Sequence, residues 1–293
     1  MSSKGPLTPK GFRDIMPDLA KKRRVFIGQI CDSLEEFGFV PIETPTLEFA
    51  ETLTGKYGEE EKLIYKFTDR GGRKLALRYD LTVPLARFIA NNLGLIQTGP
   101  FRRYQVGQSF RGEKPQKGRF REFTQLDFDT VGSTDETEDA KIITAAIKAA
   151  RQVGMKEALM LINDRENFKG LSLEEIRTID KIAKIGKENT PQKLLDFVAQ
   201  AKPTRWLEEI FKILENQYGL IKDLDFAFDP SLARGLDYYT STIFELKLNN
   251  NPQSLSIGGG GRYDNLIGMF LPAGRQIPAV GFSFGVDRIF DII

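Results

Sequence analysis

The chain of 293 residues contains no histidine. That absence removes imidazole general bases, Ser–His and Cys–His nucleophile pairs and most zinc sites. Any chemistry must come from Arg, Lys, Asp, Glu, Tyr and the backbone. A single cysteine, Cys31, excludes an intramolecular disulfide and a cysteine-based metal centre. It falls in a helical stretch, where a small buried hydrophobe is its expected role, and a reducing, cytoplasmic setting is consistent with it. The N-terminus MSSKGPLTPKGF has no apolar core of a signal peptide, and no apolar run is long enough to span a membrane. Net charge is only +2, so bulk charge does not argue for nucleic acid. What remains is an ordinary globular composition, 41% hydrophobic and 28% charged, with enough chain for one large domain or two smaller ones.

Charge is unevenly spread. Residues 101–122 hold Arg102, Arg103, Arg111, Lys114, Lys117, Arg119 and Arg121 against Glu113 and Glu122. Such a local excess attracts phosphates. The segment FRGEKPQKGRFREFTQLDFD at 110–129 reads as a strand ending at Phe110-Arg111, a turn through Glu113 to Gly118, and a returning strand. Side chains at i and i+2 share a face of a strand, so Arg119, Arg121, Phe123, Gln125, Asp127 and Asp129 line one surface. Phe120, Thr124, Leu126 and Phe128 suit the opposite, buried one. An aromatic among cations, an amide and carboxylates can stack a base, hold phosphates and orient an amino acid.

Elsewhere, Phe26, Ile30, Leu34 and Phe37 recur at helical spacing, with Asp18 as N-cap and Gly38 as stop. Residues 39–49 read as extended, with Pro41 and Pro45 placing them at a sheet edge. Asp69-Arg70-Gly71-Gly72 joins two short strands, and Thr82 is placed to cap a helix through Asn92. Glu136–Val153 reads as a helix, followed by a strand at Ala158–Ile162. Between 163 and 225 strand signals nearly vanish, and Ser172 with Glu175 forms a capping box. Strands resume at Tyr238–Leu248, Ser254–Gly258 and Ala279–Phe284. The run Gly258–Gly261 between them reads as a tight stretch bordering a site or as a flexible turn; no Gly-Lys-Ser/Thr follows, so it is no P-loop. The expected fold is α+β around an antiparallel sheet, with 1–162 and 226–293 forming one catalytic domain and 163–225 a helical insertion.

Three separated segments, a helix followed by FGFVPIETPTLEF, the 110–129 hairpin and AVGFSFGVDRIFDII at 279–293, resemble the three signatures of class II aminoacyl-tRNA synthetases. LRYDLTVPLAR at 77–87 and LARGLDYYTSTIFE at 232–245 look like histidyl-tRNA synthetase in particular. The resemblance runs from about Lys10 to the end and is weakest in the helical insertion. It implies a homodimer joined through the first signature. It also implies a two-step reaction, in which L-histidine and ATP form histidyl-adenylate and the histidyl group passes to the acceptor end of tRNA(His).

The resemblance further implies residue roles. Arg111 contacts the α-phosphate and the histidine carboxylate, a task suited to a planar guanidinium fork. Arg234, of the Arg-Gly-Leu-Asp-Tyr-Tyr run, faces it across the α-phosphate as the second catalytic arginine. Asp80, Thr82 and Gln125 hold the α-ammonium; Asp129 and Tyr239 read the imidazole, with Tyr238 in the same pocket. Phe123 stacks on adenine with Arg288 covering the other side of the base, Glu113 accepts from the adenine amino group, and Arg119 binds the β- and γ-phosphates with Mg2+. No protein-bound metal is expected. Asp127 shares the face without an assigned role. The chain ends five residues past Arg288, without the C-terminal anticodon-reading domain of the family. That reads as a trimmed catalytic core, with a stand-alone paralogue as the other possibility. The competing functions are a non-catalytic regulatory subunit of ATP phosphoribosyltransferase and a sensor that binds histidine or tRNA without catalysis.

Overall fold

The computed structural model describes residues 6–114, 120–233, 238–248, 256–272 and 275–290. Helix α1 (Pro17–Glu35) leads to a short edge strand β1 (Val40–Pro41). Met16 is the N-cap, with Pro17 in the first helical position; Asp18, expected as the cap, lies inside the first turn. Proline sets φ for helix entry and has no N–H to orphan, so the helix begins two residues earlier than an Asp18 cap would place it. Gly38 takes φ +81° at the far end, the left-handed turn that glycine allows. Pro41 lies at the edge of the sheet, where its missing N–H costs no ladder bond.

A small antiparallel sheet in the order β2–β4–β3 follows, from β2 (Leu47–Phe49), β3 (Lys66–Thr68) and β4 (Lys74–Leu77), with helix α2 (Ala50–Leu53) after β2. The β3–β4 turn is held by Asp69, whose Oδ1 accepts from the amides of Gly71 and Arg73 at 2.9 and 2.8 Å. Helix α3 (Thr82–Asn91) comes next, then the long hairpin β5 (Phe101–Phe110) and β6 (Glu122–Val131). Helix α4 (Glu136–Gln152) and β7 (Leu159–Asp164) follow. Four helices succeed them: α5 (Leu173–Asp180), α6 (Ile182–Ile185), α7 (Gln192–Gln200) and α8 (Arg205–Asn216). The chain returns through β8 (Phe226–Phe228), β9 (Thr242–Lys247), β10 (Ser256–Arg262), β11 (Ala279–Gly285) and α9 (Val286–Phe290).

The main sheet runs β1–β5–β6–β11–β10–β9–β7–β8. Its inner six strands are antiparallel, and only the outermost strands β1 and β8 pair parallel. One face is covered by α1, α4 and α8, which bring Ile30, Leu34, Ile143, Ile147, Leu207 and Ile210 against Leu126, Phe128, Phe244, Phe282 and Phe284. Burial of such a face supplies the dominant stabilisation of the fold. A second core gathers Leu53, Tyr79, Leu85 and Ile89 with Ile179 of α5 and Leu194 of α7. Helices from residues 163–225 thus attach to both cores: α8 to the first, α5 and α7 to the second. Ser172 and Glu175 form the reciprocal capping box at the start of α5.

The glycine run is neither a loop nor a turn. Gly258–Gly261 lie inside β10, with Gly260 paired to Phe244 on β9 and Phe282 on β11. Glycine is needed because the neighbours close in: a Cβ on Gly260 would stand 2.0 Å from the Gly281 oxygen and 2.6 Å from the Phe244 ring. Gly260→Ala should therefore lower the unfolding free energy by about 1–3 kcal/mol through overpacking, read from the shift of a urea unfolding midpoint.

Candidate functional site

The alternation along β6 sorts its side chains. Leu126 and Phe128 enter the helix-covered core, while Gln125, Asp127 and Asp129 point to the other face, where a cleft of about 480 Å³ opens. Strand β11 does the same, sending Phe284 into the core and Ser283 to the cleft. Of the residues proposed from sequence, Asp80, Thr82, Arg111, Glu113, Phe123, Gln125, Asp129, Tyr238, Tyr239 and Arg288 all line this cleft. Arg119 and Arg234 lie outside the described residues.

Asp80 sits between β4 and α3, and its carboxylate, not the Thr82 hydroxyl, closes the start of that helix. Oδ1 accepts from the amides of Thr82 and Val83 at 3.1 and 3.0 Å and from the Tyr57 hydroxyl at 3.0 Å. Two residues ahead of the helix, a short carboxylate reaches the free N–H groups better than a residue already within the first turn. The Thr82 hydroxyl instead interacts with Tyr238. Burial pushes the Asp80 carboxyl up, with the helix amides and Arg111 pulling the other way.

Arg111 follows β5 directly. Its Nε donates to the Tyr79 carbonyl at 3.3 Å, and its guanidinium lies 4.2 Å over the Tyr79 ring and 4.9 Å over Phe123. Both contacts hold the fork flat at the cleft wall. Arg288 reaches the cleft from α9 and donates to the Ser256 carbonyl at 2.8 Å. Phe120, assigned from parity to the buried face, lines the cleft with the Arg13 guanidinium 3.9 Å over its ring. It precedes the first residue of β6, so the strand alternation does not reach it.

The basic patch is also corrected. Arg102 pairs with Glu138, and Arg103 is fully buried with Nη2 2.6 Å from Asp129 Oδ2. Neither offers an open surface to phosphate. Hairpin register explains the second pair, because Arg103 stands directly across from Asp129 on the paired strands. Tyr263 completes the Asp129 site by donating to Oδ1 at 2.5 Å. Gly281 leaves the space for it, since a Cβ there would fall 1.8 Å from Asp129 Oδ1. Burial raises the Asp129 carboxyl and the neighbouring Arg103 charge opposes that rise. Tyr263 and Tyr238 are pushed well above the usual phenol range, first by burial, so both are neutral hydroxyls.

Four side-chain oxygens on the cleft floor are buried without a hydrogen-bond donor from the protein: Asp80 Oδ2, Gln125 Oε1, Asp127 Oδ2 and Asp129 Oδ2, the last of which has the Arg103 charge beside it while the other three have no partner. A second set of contacts ties the N-terminal segment to the same place. The Arg121 amide donates to Gly11 O at 2.8 Å. Asp287 of α9 is bound by Arg13, by Arg23 of α1 and by the Thr124 amide at 2.5 Å. Asp287 precedes Arg288, so these bonds fix the entry of α9. Among the described residues no three acidic or cysteine side chains are grouped to hold a metal ion, and no helix is long and apolar enough to cross a membrane.

Removing one partner of a buried ion pair strands the other charge. Arg103→Met should cost about 3–5 kcal/mol of unfolding free energy, and the double variant with Asp129→Asn should recover part of that loss in denaturant titrations.

The fold has counterparts among known proteins. A family model described as histidyl-tRNA synthetase matches residues 11–180 and 169–289. The histidine–tRNA ligase of Aeropyrum pernix is 41% identical, with 99% of this chain and 75% of that protein aligned. The ligase of Treponema denticola is 38% identical over 97% of this chain and 72% of its own length. The chain thus spans about three quarters of these relatives. Among solved structures, a histidyl-tRNA synthetase from Nostoc sp. superposes with a TM-score of 0.82 at 30% identity, covering 99% of this chain and 75% of that one. A Bacillus halodurans chain described as an ATP phosphoribosyltransferase regulatory subunit/histidyl-tRNA synthetase gives 0.78 at 23% identity, over 97% and 82% of the two chains, a likeness of fold alone.

Proposed function

Because the chain belongs to the histidyl-tRNA synthetase family, we propose that it activates L-histidine with ATP and transfers the histidyl group to the 3′ end of tRNA(His). One observation carries this reading. Asp80 and Gln125 each present a buried, unpartnered oxygen in the cleft that Arg111 borders. A zwitterionic amino acid matches that arrangement, with its ammonium on the acceptors and its carboxylate toward the guanidinium.

Asp80 and Gln125 then hold the α-ammonium, with Thr82 alongside them. Asp129 has both oxygens engaged by Arg103 and Tyr263, yet a carboxylate accepts at about four lone-pair sites and retains capacity for an imidazole N–H. Tyr239 donates to the other ring nitrogen, beside Tyr238. Phe123 and Arg288 take the adenine, Glu113 its amino group. Arg119 takes the β- and γ-phosphates. Mg2+ carried on phosphates needs only one or two carboxylates; Glu245 on the cleft wall is of the right chemistry and would hold it.

In the first step a carboxylate oxygen of histidine attacks the α-phosphorus in line and pyrophosphate leaves. Negative charge builds on the nonbridging oxygens, where Arg111, joined by Arg234, stabilises it. In the second step the terminal ribose hydroxyl of tRNA attacks the acyl carbon and AMP departs. Neither step requires a histidine base. The exposed apolar side chains of Val40, Leu47, Phe49 and Phe67, all in the first-signature region or the small sheet, support assembly as a homodimer. The compartment proposed is the cytoplasm.

ATP–pyrophosphate exchange tests this. We expect exchange that depends on added histidine, and a loss of about 10²–10³-fold in Arg111→Ala. Exchange indifferent to histidine would point to another amino acid. Its absence from a folded dimer would favour the regulatory subunit of ATP phosphoribosyltransferase.

A further inference from the structure

Asp127 has no part in the reading above, yet it is one of the most constrained groups in the molecule. It is 2% exposed, and Asp80 and Gln125 beside the same cleft are 3% and 7% exposed. Each residue of this trio has one oxygen committed or its donor end spent, and one oxygen bare. Asp80 Oδ1 takes three protein donors while Oδ2 takes none. Gln125 spends its amide nitrogen on Ser283 Oγ at 2.8 Å and on Asp127 Oδ1 at 3.4 Å, which turns its Oε1 into the free end. Asp127 Oδ2 is the third bare acceptor. A buried acceptor without a donor is costly, so three together call for a ligand that brings donors. A primary ammonium brings three N–H groups and positive charge.

We infer that Asp127 is a further binding residue for the α-ammonium of the substrate, closing with Asp80 and Gln125 a three-acceptor cradle. This deepens the histidine-activating reading and rests on it. Thr82, whose hydroxyl interacts with Tyr238, then flanks the cradle rather than supplying its third acceptor.

A proton equilibrium follows. Asp127 is faced by Asp129 on its own strand, by Asp80 ahead of α3, and by the neutral Gln125 and Ser283. From β5 come Gln105, opposite it in register, and Arg103, whose guanidinium donates to the Asp127 carbonyl at 3.3 Å. Arg78 adds a more distant cation. Burial, with Asp129 and Asp80 adding like charge against the pull of Arg103, pushes the Asp127 carboxyl up to about 7. Near neutrality the empty cradle therefore holds a proton on a fraction of molecules, and an entering ammonium displaces it to bulk buffer. The sign is fixed by linkage. The folded, empty protein binds this proton more tightly than the unfolded chain does. Its contribution to stability is full below the ordinary carboxylate range and is lost as pH rises towards 7.

Asp127→Asn keeps the size and removes the titration. Histidine affinity is to be measured calorimetrically for both proteins between about pH 5 and pH 8, and ligand-free urea midpoints over the same range. The ratio of variant to wild-type Kd should be about 10- to 100-fold at the alkaline end, the worth of a charged hydrogen bond. It should shrink towards one at the acid end; ionisation of the histidine imidazole is common to both proteins and cancels in the ratio. Imidazole propionate, which lacks the ammonium, should bind both equally. Without ligand, the wild type should lose stability relative to the variant as pH rises. A ratio near one at alkaline pH, or an equal penalty for imidazole propionate, overturns the ammonium assignment. A ratio independent of pH, with parallel urea midpoints, overturns the proton displacement. Failure of the wild type to bind histidine at any pH overturns the functional reading and the ammonium assignment with it, while the ligand-free midpoints still decide the buried proton.

Discussion

The cleft floor places three carboxylates, Asp80, Asp127 and Asp129, where water scarcely reaches, and sets one fully buried guanidinium, Arg103, beneath them. Charge of one sign cannot collect in a protein interior without a counterion or a proton. Arg103 settles Asp129; the amides of Thr82 and Val83 settle half of Asp80. The remainder is a deficit of positive charge and of hydrogen-bond donors. Hairpin register, the α3 cap and the packing of Tyr57 and Tyr263 all serve to hold that deficit in one place.

The sheet supplies the rigidity. Strands β5, β6 and β11 form adjacent antiparallel ladders, so Arg103, Asp129 and Gly281 are in fixed register across three strands. On the reverse side the phenylalanines of β6 and β11 are locked against α1, α4 and α8. Site residues that alternate with core residues inherit the order of the core, and a preorganised polar surface is what charge stabilisation requires.

Much of this was legible in the residues. The parity of β6 put Phe123, Gln125, Asp127 and Asp129 on one face, and the capping box at Ser172 was read directly. What escaped depended on distance or on a broken local rule. Tyr263 meets Asp129 across 134 residues of chain, and nothing near it in sequence signals that contact. Arg103 read as part of a cationic surface because charge was counted along the chain; its partner emerges only when the hairpin is folded and the register counted back. The Gly258–Gly261 run read as a tight stretch bordering a site or as a flexible turn; Gly258 and Gly259 do line the cleft, but from inside a strand, where the tight approach of β11 and the Phe244 ring demands glycine. Thr82 read as the cap because its hydroxyl stands at the start of the helical pattern, whereas the Asp80 carboxylate, two residues ahead, reaches the free amides.

Residues 6–16 do more than lead into α1. Through Gly11 and Arg13 they tether the far arm of the β5–β6 hairpin and the front of α9, elements that are otherwise distant in the polypeptide. A change at Gly11 or Arg13 would consequently be felt at Phe120 and Arg288, which couples this segment mechanically to the nucleotide half of the cleft.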